Sequence, residues 1–328
     1  MMKELILNFP GQLNEAVAIA GKAQLSAPLA PVKNVLICGL GGSGIGGTLA
    51  KEIVHDEAPV PIEVMKSYTI PAFVNENTLV ICSSYSGNTE ETLESYRQAK
   101  NKKAQVVCIT SGGQLLDMAK KDGYSAIIVP SGMPPRSCLG YSLTQLLHIF
   151  AHYGIAPEHV SQVSAAAALL KKEQDNIMKE AAAITEKLAG KLPVIYATSL
   201  NEGAAIRFRQ QLNENAKILC WHHIFPEMNH NELVGWSHEY PEIEVVLFVE
   251  KEEHPRNRIR IEICRKIFKK YAGGMVEIHP KGNNIIEKKI YWMHTGDWVS
   301  YFLAEKRNVD AMEVKVIDRL KKELAGKD

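Results

Sequence analysis

Membrane spans, disulfide frameworks and nucleic-acid footprints each leave a mark that this sequence lacks. No run approaches the ~20 apolar residues of a membrane-crossing helix, so no membrane partner is expected. The N-terminus, Met1-Met2-Lys3-Glu4, brings an acid early and no apolar core with a small-residue cleavage site follows, which predicts a cytoplasmic protein. Excess charge is missing too: 38 basic side chains face 37 acidic ones, a formal net charge of +1. That balance excludes a broad electrostatic footprint for nucleic acid, and any anion site must be local, built from a few oriented groups. The six cysteines, Cys38, Cys82, Cys108, Cys138, Cys220 and Cys264, contain no CxxC pair. Three of them sit inside apolar strand-like runs and read as reduced core thiols. The Walker pattern GxxxxGK[ST] and the metalloprotease pattern HExxH are absent, and no Cys/His spacing fits a structural zinc. Low-complexity segments and short-period repeats are absent as well. No metal and no cofactor are expected.

What is present fits two domains. The chain has 328 residues, 46% hydrophobic and 23% charged, enough for two full cores at roughly 150 residues each. Helical spacing of apolar residues over 3–22 predicts a leader helix, ended by Pro28 and Pro31. Short apolar runs then alternate with helical segments. The runs are Val35–Cys38, Ile62–Met65, Leu79–Cys82, Val106–Ile109 and Ala126–Val129; the helices fall near 44–56, 88–102 and 113–121. Runs this apolar suit strands covered on both faces, and the alternation predicts a doubly wound parallel sheet. A closing helix over 138–153 and a long one over 160–190 follow. The pattern restarts with strands at 193–197, 245–249 and 276–278, helices at 202–217 and 256–271, and final helices at 284–307 and 311–325. The expected fold is α/β, two tandem doubly wound domains with parallel sheets flanked by helices. The expected boundaries are a leader at 1–30, a first domain at 31–153 and a second at 154–328.

Right-handed crossovers put the ligand crevice of such a sheet at the carboxyl ends of its strands, and two loops there carry chemistry. The first strand runs into Gly39-Leu40-Gly41-Gly42-Ser43-Gly44-Ile45-Gly46-Gly47 at the start of a helix, where backbone N–H groups and the helix dipole attract an anion. Gly39, Gly41 and Gly44 match GxGxxG, but a dinucleotide site wants an acid at the end of the second strand. That strand ends Met65-Lys66-Ser67, so NAD is not expected. The third strand opens into Ser83-Ser84-Tyr85-Ser86-Gly87-Asn88-Thr89-Glu90-Glu91-Thr92. Helix capping needs one hydroxyl, and Ser84, Ser86 and Thr89 exceed that need. Hydroxyls and backbone donors without Lys or Arg in either loop suit a monophosphate better than a triphosphate with magnesium.

These two loops, with Ile109-Thr110-Ser111-Gly112-Gly113, resemble the sugar isomerase (SIS) domain family. Three further segments, Pro130–Arg136, Gln211–Lys217 and Pro226–Glu232, narrow the likeness to the bifunctional phosphoglucose/phosphomannose isomerases, over nearly the whole chain from about residue 30. The resemblance implies interconversion of glucose 6-phosphate or mannose 6-phosphate with fructose 6-phosphate through an enediolate. It implies a homodimer with active sites at the subunit interface. Gly42, Ser43, Ser84, Ser86 and Thr89 would bind the phosphate. Glu214, in Asn213-Glu214-Asn215-Ala216-Lys217, takes the role of proton-transfer base; read alone, a surface carboxylate is the usual fate of a helical Glu. His230 would open the sugar ring of the neighbouring subunit's substrate, histidine being able to pass a proton either way near neutral pH. Its ordinary alternative is metal ligation with His222, His223 or His238. Arg136, stiffened by Pro134 and Pro135, would steady the enediolate oxygens, against the alternative of a surface ion pair. Ser300 and Arg307 fit a hydroxyl or amide and a cation about two turns on that the family places on substrate, with Lys306 an alternative to Arg307; an ordinary helix face explains these residues equally well. Two other functions stay open: a sugar-phosphate-binding regulator without chemistry, and another isomerase of this fold. A regulator usually carries a DNA-binding module, and no basic helix-turn-helix stands out. An aminosugar synthase needs a glutamine-hydrolysing domain with an N-terminal cysteine, where this chain begins Met1-Met2-Lys3.

Overall fold

The computed structural model describes residues 1–324. Ala325, the last residue of the predicted C-terminal helix, and the predicted end of the second domain at 328 lie outside the described residues. Contacts divide the chain into two compact units that interleave in sequence. One comprises Leu7–Glu173 and Lys281–Tyr291; the other comprises Met1–Ile6, Gln174–Pro280 and the chain from Trp292 onward.

The predicted leader is two helices, α1 (Met2–Leu7) and α2 (Phe9–Ala20). Pro10 sits in the first turn of α2, where a missing N–H costs nothing but where α1 cannot continue through it. α2 belongs to the first unit, whose sheet contains β1 (Asn34–Cys38), β2 (Ile62–Met65), β3 (Thr78–Ser83), β4 (Gln105–Thr110) and β5 (Ser125–Ile128). Strand order is β2-β1-β3-β4-β5, parallel throughout. Every residue of β3 and β4 is buried, as a sheet covered on both faces requires. The crossovers are α3 (Gly41–Ile53), α4 (Glu90–Asn101) and α5 (Gly113–Asp122), and α6 (Leu139–His152) closes the layer against α2. Gln12 ties that contact: its Nε2 donates to Ser137 O at 2.7 Å and its Oε1 accepts from Gly140 N at 2.9 Å. The segment 281–291 returns to this unit through a buried ion pair, Lys289 to Glu52 at 2.7 Å.

The expected boundary near 153 falls between α6 and α7 (Val160–Leu188), a helix that supplies residues to both units. The second unit holds β6 (Leu192–Thr198), α8 (Glu202–Glu214), β7 (Trp221–Phe225), β8 (Tyr240–Phe248), α9 (Pro255–Tyr271) and β9 (Ala272–Ile278), with the later part of α10 (Ile285–Lys306) and α11 (Lys315–Leu324). Its sheet is again parallel, in the order β7-β6-β8-β9. The sequence pattern missed β7. It is an edge strand, half-exposed, and carries His222 and His223 where an apolar run would announce a strand.

Both units are thus parallel α/β sheets flanked by helices. In the first, strand order reverses between β1 and β3, so the crevice that binds ligands in doubly wound sheets opens beyond their carboxyl ends. The glycine loop and the hydroxyl loop leave from those two ends.

Candidate active site

In the first unit the two loops meet. A Cβ at Gly39 would lie 2.8 Å from Ser83 O, and a small pocket is lined by Gly42 and Ser43 from one loop and Ser83 and Tyr85 from the other. Ser43 is buried in the first turn of α3, whose N-terminus receives no side-chain cap. Thr89 occupies the N-cap of α4, yet its hydroxyl makes no cap hydrogen bond. It pairs instead with Ser84 Oγ at 2.8 Å. The capping alternative therefore does not account for these hydroxyls, and the first N–H groups of α4 keep their donors uncommitted to Thr89. Ser84 is buried, Thr89 half-buried and Ser86 exposed; Ser86 Oγ accepts from Asn88 N at 3.3 Å.

The Ile109–Gly113 segment is the buttress of the hydroxyl loop. Ser111 donates to Tyr85 O through both N (2.9 Å) and Oγ (2.6 Å), and Leu115 N donates to Gly87 O at 2.9 Å. Gly87 has φ +69°, and a Cβ there would fall 1.8 Å from Gly112 O, so only glycine fits. Tyr85, given no role by sequence, accepts from Met133 N at 3.1 Å and so ties the Pro130–Arg136 loop to the hydroxyl loop. Arg136 lies in the 3-10 turn Pro135–Ser137 and is only 4% exposed, which rules out an ordinary surface ion pair. The turn presses on the glycine loop, since a Cβ at Gly42 would sit 2.5 Å from Pro135 O. Lys66, where a dinucleotide site would carry an acid, reaches Thr48 Oγ1 at 3.4 Å beside the same helix.

In the second unit Glu214 is the last residue of α8, half-buried, and Lys217 Nζ donates to its carbonyl at 2.6 Å and to Glu313 O at 2.8 Å. Lys217 thereby caps the helix end, with φ +57°. Asn215 is fully buried and donates to Ser300 Oγ at 3.0 Å. Ser300 is fully buried too and gives its own proton to Asp297 O at 2.7 Å. Arg207 Nη2 alone reaches both carboxylate oxygens of Asp297, Oδ1 at 2.9 Å and Oδ2 at 3.1 Å, and Gln211 Nε2 donates to the same carboxylate at 2.7 Å. Burial pushes the Asp297 carboxyl up, and Arg207 opposes that rise. Arg207 and Asp297 are 90 residues apart, so their pairing left no local sign in the sequence.

His230 ends the short turn Glu227–His230, exposed between two anchors, Met228 and Trp236, that are sunk in the core. Its ring makes no hydrogen bond among the described residues, whereas His222 faces Glu202 at 3.4 Å. No group of three or more potential ligands capable of holding a metal occurs among the described residues. Arg307 is exposed just past α10, while Lys306 is committed to Glu186 at 2.5 Å. All six cysteines are free thiols; Cys38, Cys82 and Cys108 stand in register across β1, β3 and β4, and burial pushes Cys108 up to about 12. Buried in the strands of the sheet, the three serve as core.

Comparison with known proteins meets this geometry from outside. Residues 29–122 match the SIS domain family, and residues 177–324 match the family described as bacterial phospho-glucose isomerase C-terminal SIS domain. The chain is 38% identical to the bifunctional phosphoglucose/phosphomannose isomerase of Caldicellulosiruptor bescii, covering 99% of each. It is 36% identical to the protein of that description from Aquifex aeolicus, covering 92% of this chain and 93% of the relative. Among solved structures, the C-terminal domain of glucosamine-fructose-6-phosphate aminotransferase from Francisella tularensis superimposes with TM-score 0.75. It is 17% identical and covers 95% of this chain and 98% of that one, a likeness of fold alone.

Proposed function

The chain belongs to the bifunctional phosphoglucose/phosphomannose isomerase family, and from that premise we propose how its residues divide the reaction. It is a sugar-phosphate aldose–ketose isomerase. The helix-end donors of α3 and α4, with Gly42, Ser43, Ser84, Ser86 and Thr89, hold the phosphate of a hexose 6-phosphate. The observation that carries this reading is the Thr89 hydroxyl turned from its helix cap onto Ser84, because it supports a hydroxyl pair reserved for a ligand.

Moving hydrogen between C1 and C2 requires a base that removes a proton from one carbon and returns it to the other. Glu214 is that base. It takes the C2 proton of the open-chain aldose and the C1 carbonyl becomes the oxyanion of an enediolate; the hydroxyl proton passes from O2 to O1, and return of the carbon proton at C1 leaves the carbonyl at C2, the ketose. Arg136 stabilises the negative charge that develops on the oxygens, its guanidinium being cationic throughout the working pH range. His230 exchanges the ring proton during opening, in the site of a second copy of the chain; its exposed ring, which makes no hydrogen bond among the described residues, supports that outward role. The homodimer and a cytoplasmic setting are part of this proposal. Arg307 is the better candidate than Lys306 for a cation on substrate, Lys306 being held by Glu186. Ser300, with its proton on Asp297 O, acts on substrate through Asn215 rather than directly.

The test is a coupled assay on glucose 6-phosphate, mannose 6-phosphate and fructose 6-phosphate in the presence of a chelator. The expected outcome is reversible turnover among all three and loss of it in Glu214→Gln. Wild-type turnover by Glu214→Gln contradicts the assignment of the base.

A further inference from the structure

Glu214 ends its helix, the place where helices fray. Arg207, Gln211 and Glu214 are spaced four and three apart and so share one stripe of α8. α10 is locked against that stripe. Gly296 meets Phe208 so closely that a Cβ would lie 2.9 Å from the ring. Asp297 grips Arg207 and Gln211, and one turn on Ser300 holds Asn215. Arg207, Gln211, Asn215, Asp297 and Ser300 are all 6% exposed or less. A buried ion pair is a weak source of stability, because desolvation of both charges offsets their attraction. A charge-assisted pair whose carboxylate also accepts from Gln211 is a strong source of geometry, since few rotations and one register of the helix satisfy both contacts at once.

We propose that Asp297 is a positioning residue for Glu214: by holding Arg207 and Gln211 it sets the rotation and register of α8, and with them the location of the carboxylate one turn further on. The inference rests on Glu214 as the proton-transfer base. Asp297 itself touches no reacting atom. An apolar pair of similar volume fills the same gap without specifying the rotation, so stability and catalysis separate.

Four variants of the full chain test this: Asp297→Asn, the double variant Arg207→Met with Asp297→Leu, Gln211→Met and Glu214→Gln. The double variant is expected to melt at or above the wild-type temperature, yet to lose about tenfold or more in kcat, since small misplacements of a reacting group are costly. Its KM for fructose 6-phosphate stays within about twofold, because Ser84, Ser86 and Thr89 are untouched. Asp297→Asn strands the Arg207 charge and loses both kcat and melting temperature. A folded double variant with wild-type kcat overturns the proposal. Should the double variant fail to fold, Gln211→Met decides: it keeps the ion pair and removes one hold, so lowered kcat at unchanged KM supports the proposal and wild-type kcat overturns it. Glu214→Gln in the same assay keeps the two claims apart. If it retains wild-type kcat, the base assignment fails. If it is inactive while the folded double variant is fully active, only the positioning role fails.

Discussion

At the scale of single residues, the proposed site asks the hydroxyl loop to grip a dianion without lysine or arginine. Oriented hydroxyls and helix N–H groups supply fixed partial charges, and they do so only if the loop backbone holds its shape. Gly87 is where that shape is most demanding, with φ +69° and Gly112 O in the space a Cβ would take. Gly87→Ala is expected to cost roughly 1–2 kcal/mol for the left-handed backbone, with the clash in addition. The reading is a melting-temperature drop together with a KM for fructose 6-phosphate raised about tenfold or more; an unchanged KM contradicts the loop's role. The surplus of hydroxyls in this loop was legible from sequence, because three exceed what one helix cap needs. The direction of Thr89's hydroxyl was not, since a threonine at an N-cap ordinarily bonds the helix.

At the scale of elements, the proposed mechanism assigns the movement of a proton to the end of α8, which α10 holds. Gly296 lets them approach to a distance a methyl group would prevent. Gly296→Ala gains helix propensity of about 1 kcal/mol. The overpacking against Phe208 costs roughly 1–3 kcal/mol and displaces α10 from α8. Denaturant titration with steady-state kinetics on the variant should show net destabilisation and lowered kcat; a more stable variant with wild-type kcat contradicts the tight contact. Most elements announced themselves by period: wholly apolar runs became β1, β3, β4 and β8, and segment 160–190 became α7. Two did not. The leader was read as one helix because its apolar spacing continues through Asn8 and Pro10, although proline interrupts backbone bonding. β7 was passed over because an edge strand needs little apolar surface and this one carries two histidines. The Arg207–Asp297 contact escaped for a different reason: spacing along a helix reveals a stripe, and only the fold reveals what lies against it.

At the scale of the whole molecule, two parallel sheets of similar build have been given different tasks. The reversal of strand order between β1 and β3 made the meeting of the glycine and hydroxyl loops legible before any coordinates, because loops at that point in a doubly wound sheet face the crevice. The role proposed for Glu214 had no such topological signal and rests on likeness to relatives. The second unit explains the residues around it, Lys217, Asn215 and Asp297, as parts that fix the end of α8. The account therefore turns on a single carboxylate moving hydrogen between adjacent carbons. Incubating wild type and Glu214→Gln with fructose 6-phosphate in deuterium oxide, and following label at C1 of the ketose and C2 of the aldoses by NMR, tests it directly. Wild type is expected to incorporate deuterium at both carbons, and Glu214→Gln to do so about a hundredfold or more slowly while still binding the substrate. Incorporation by Glu214→Gln at the wild-type rate would contradict the account.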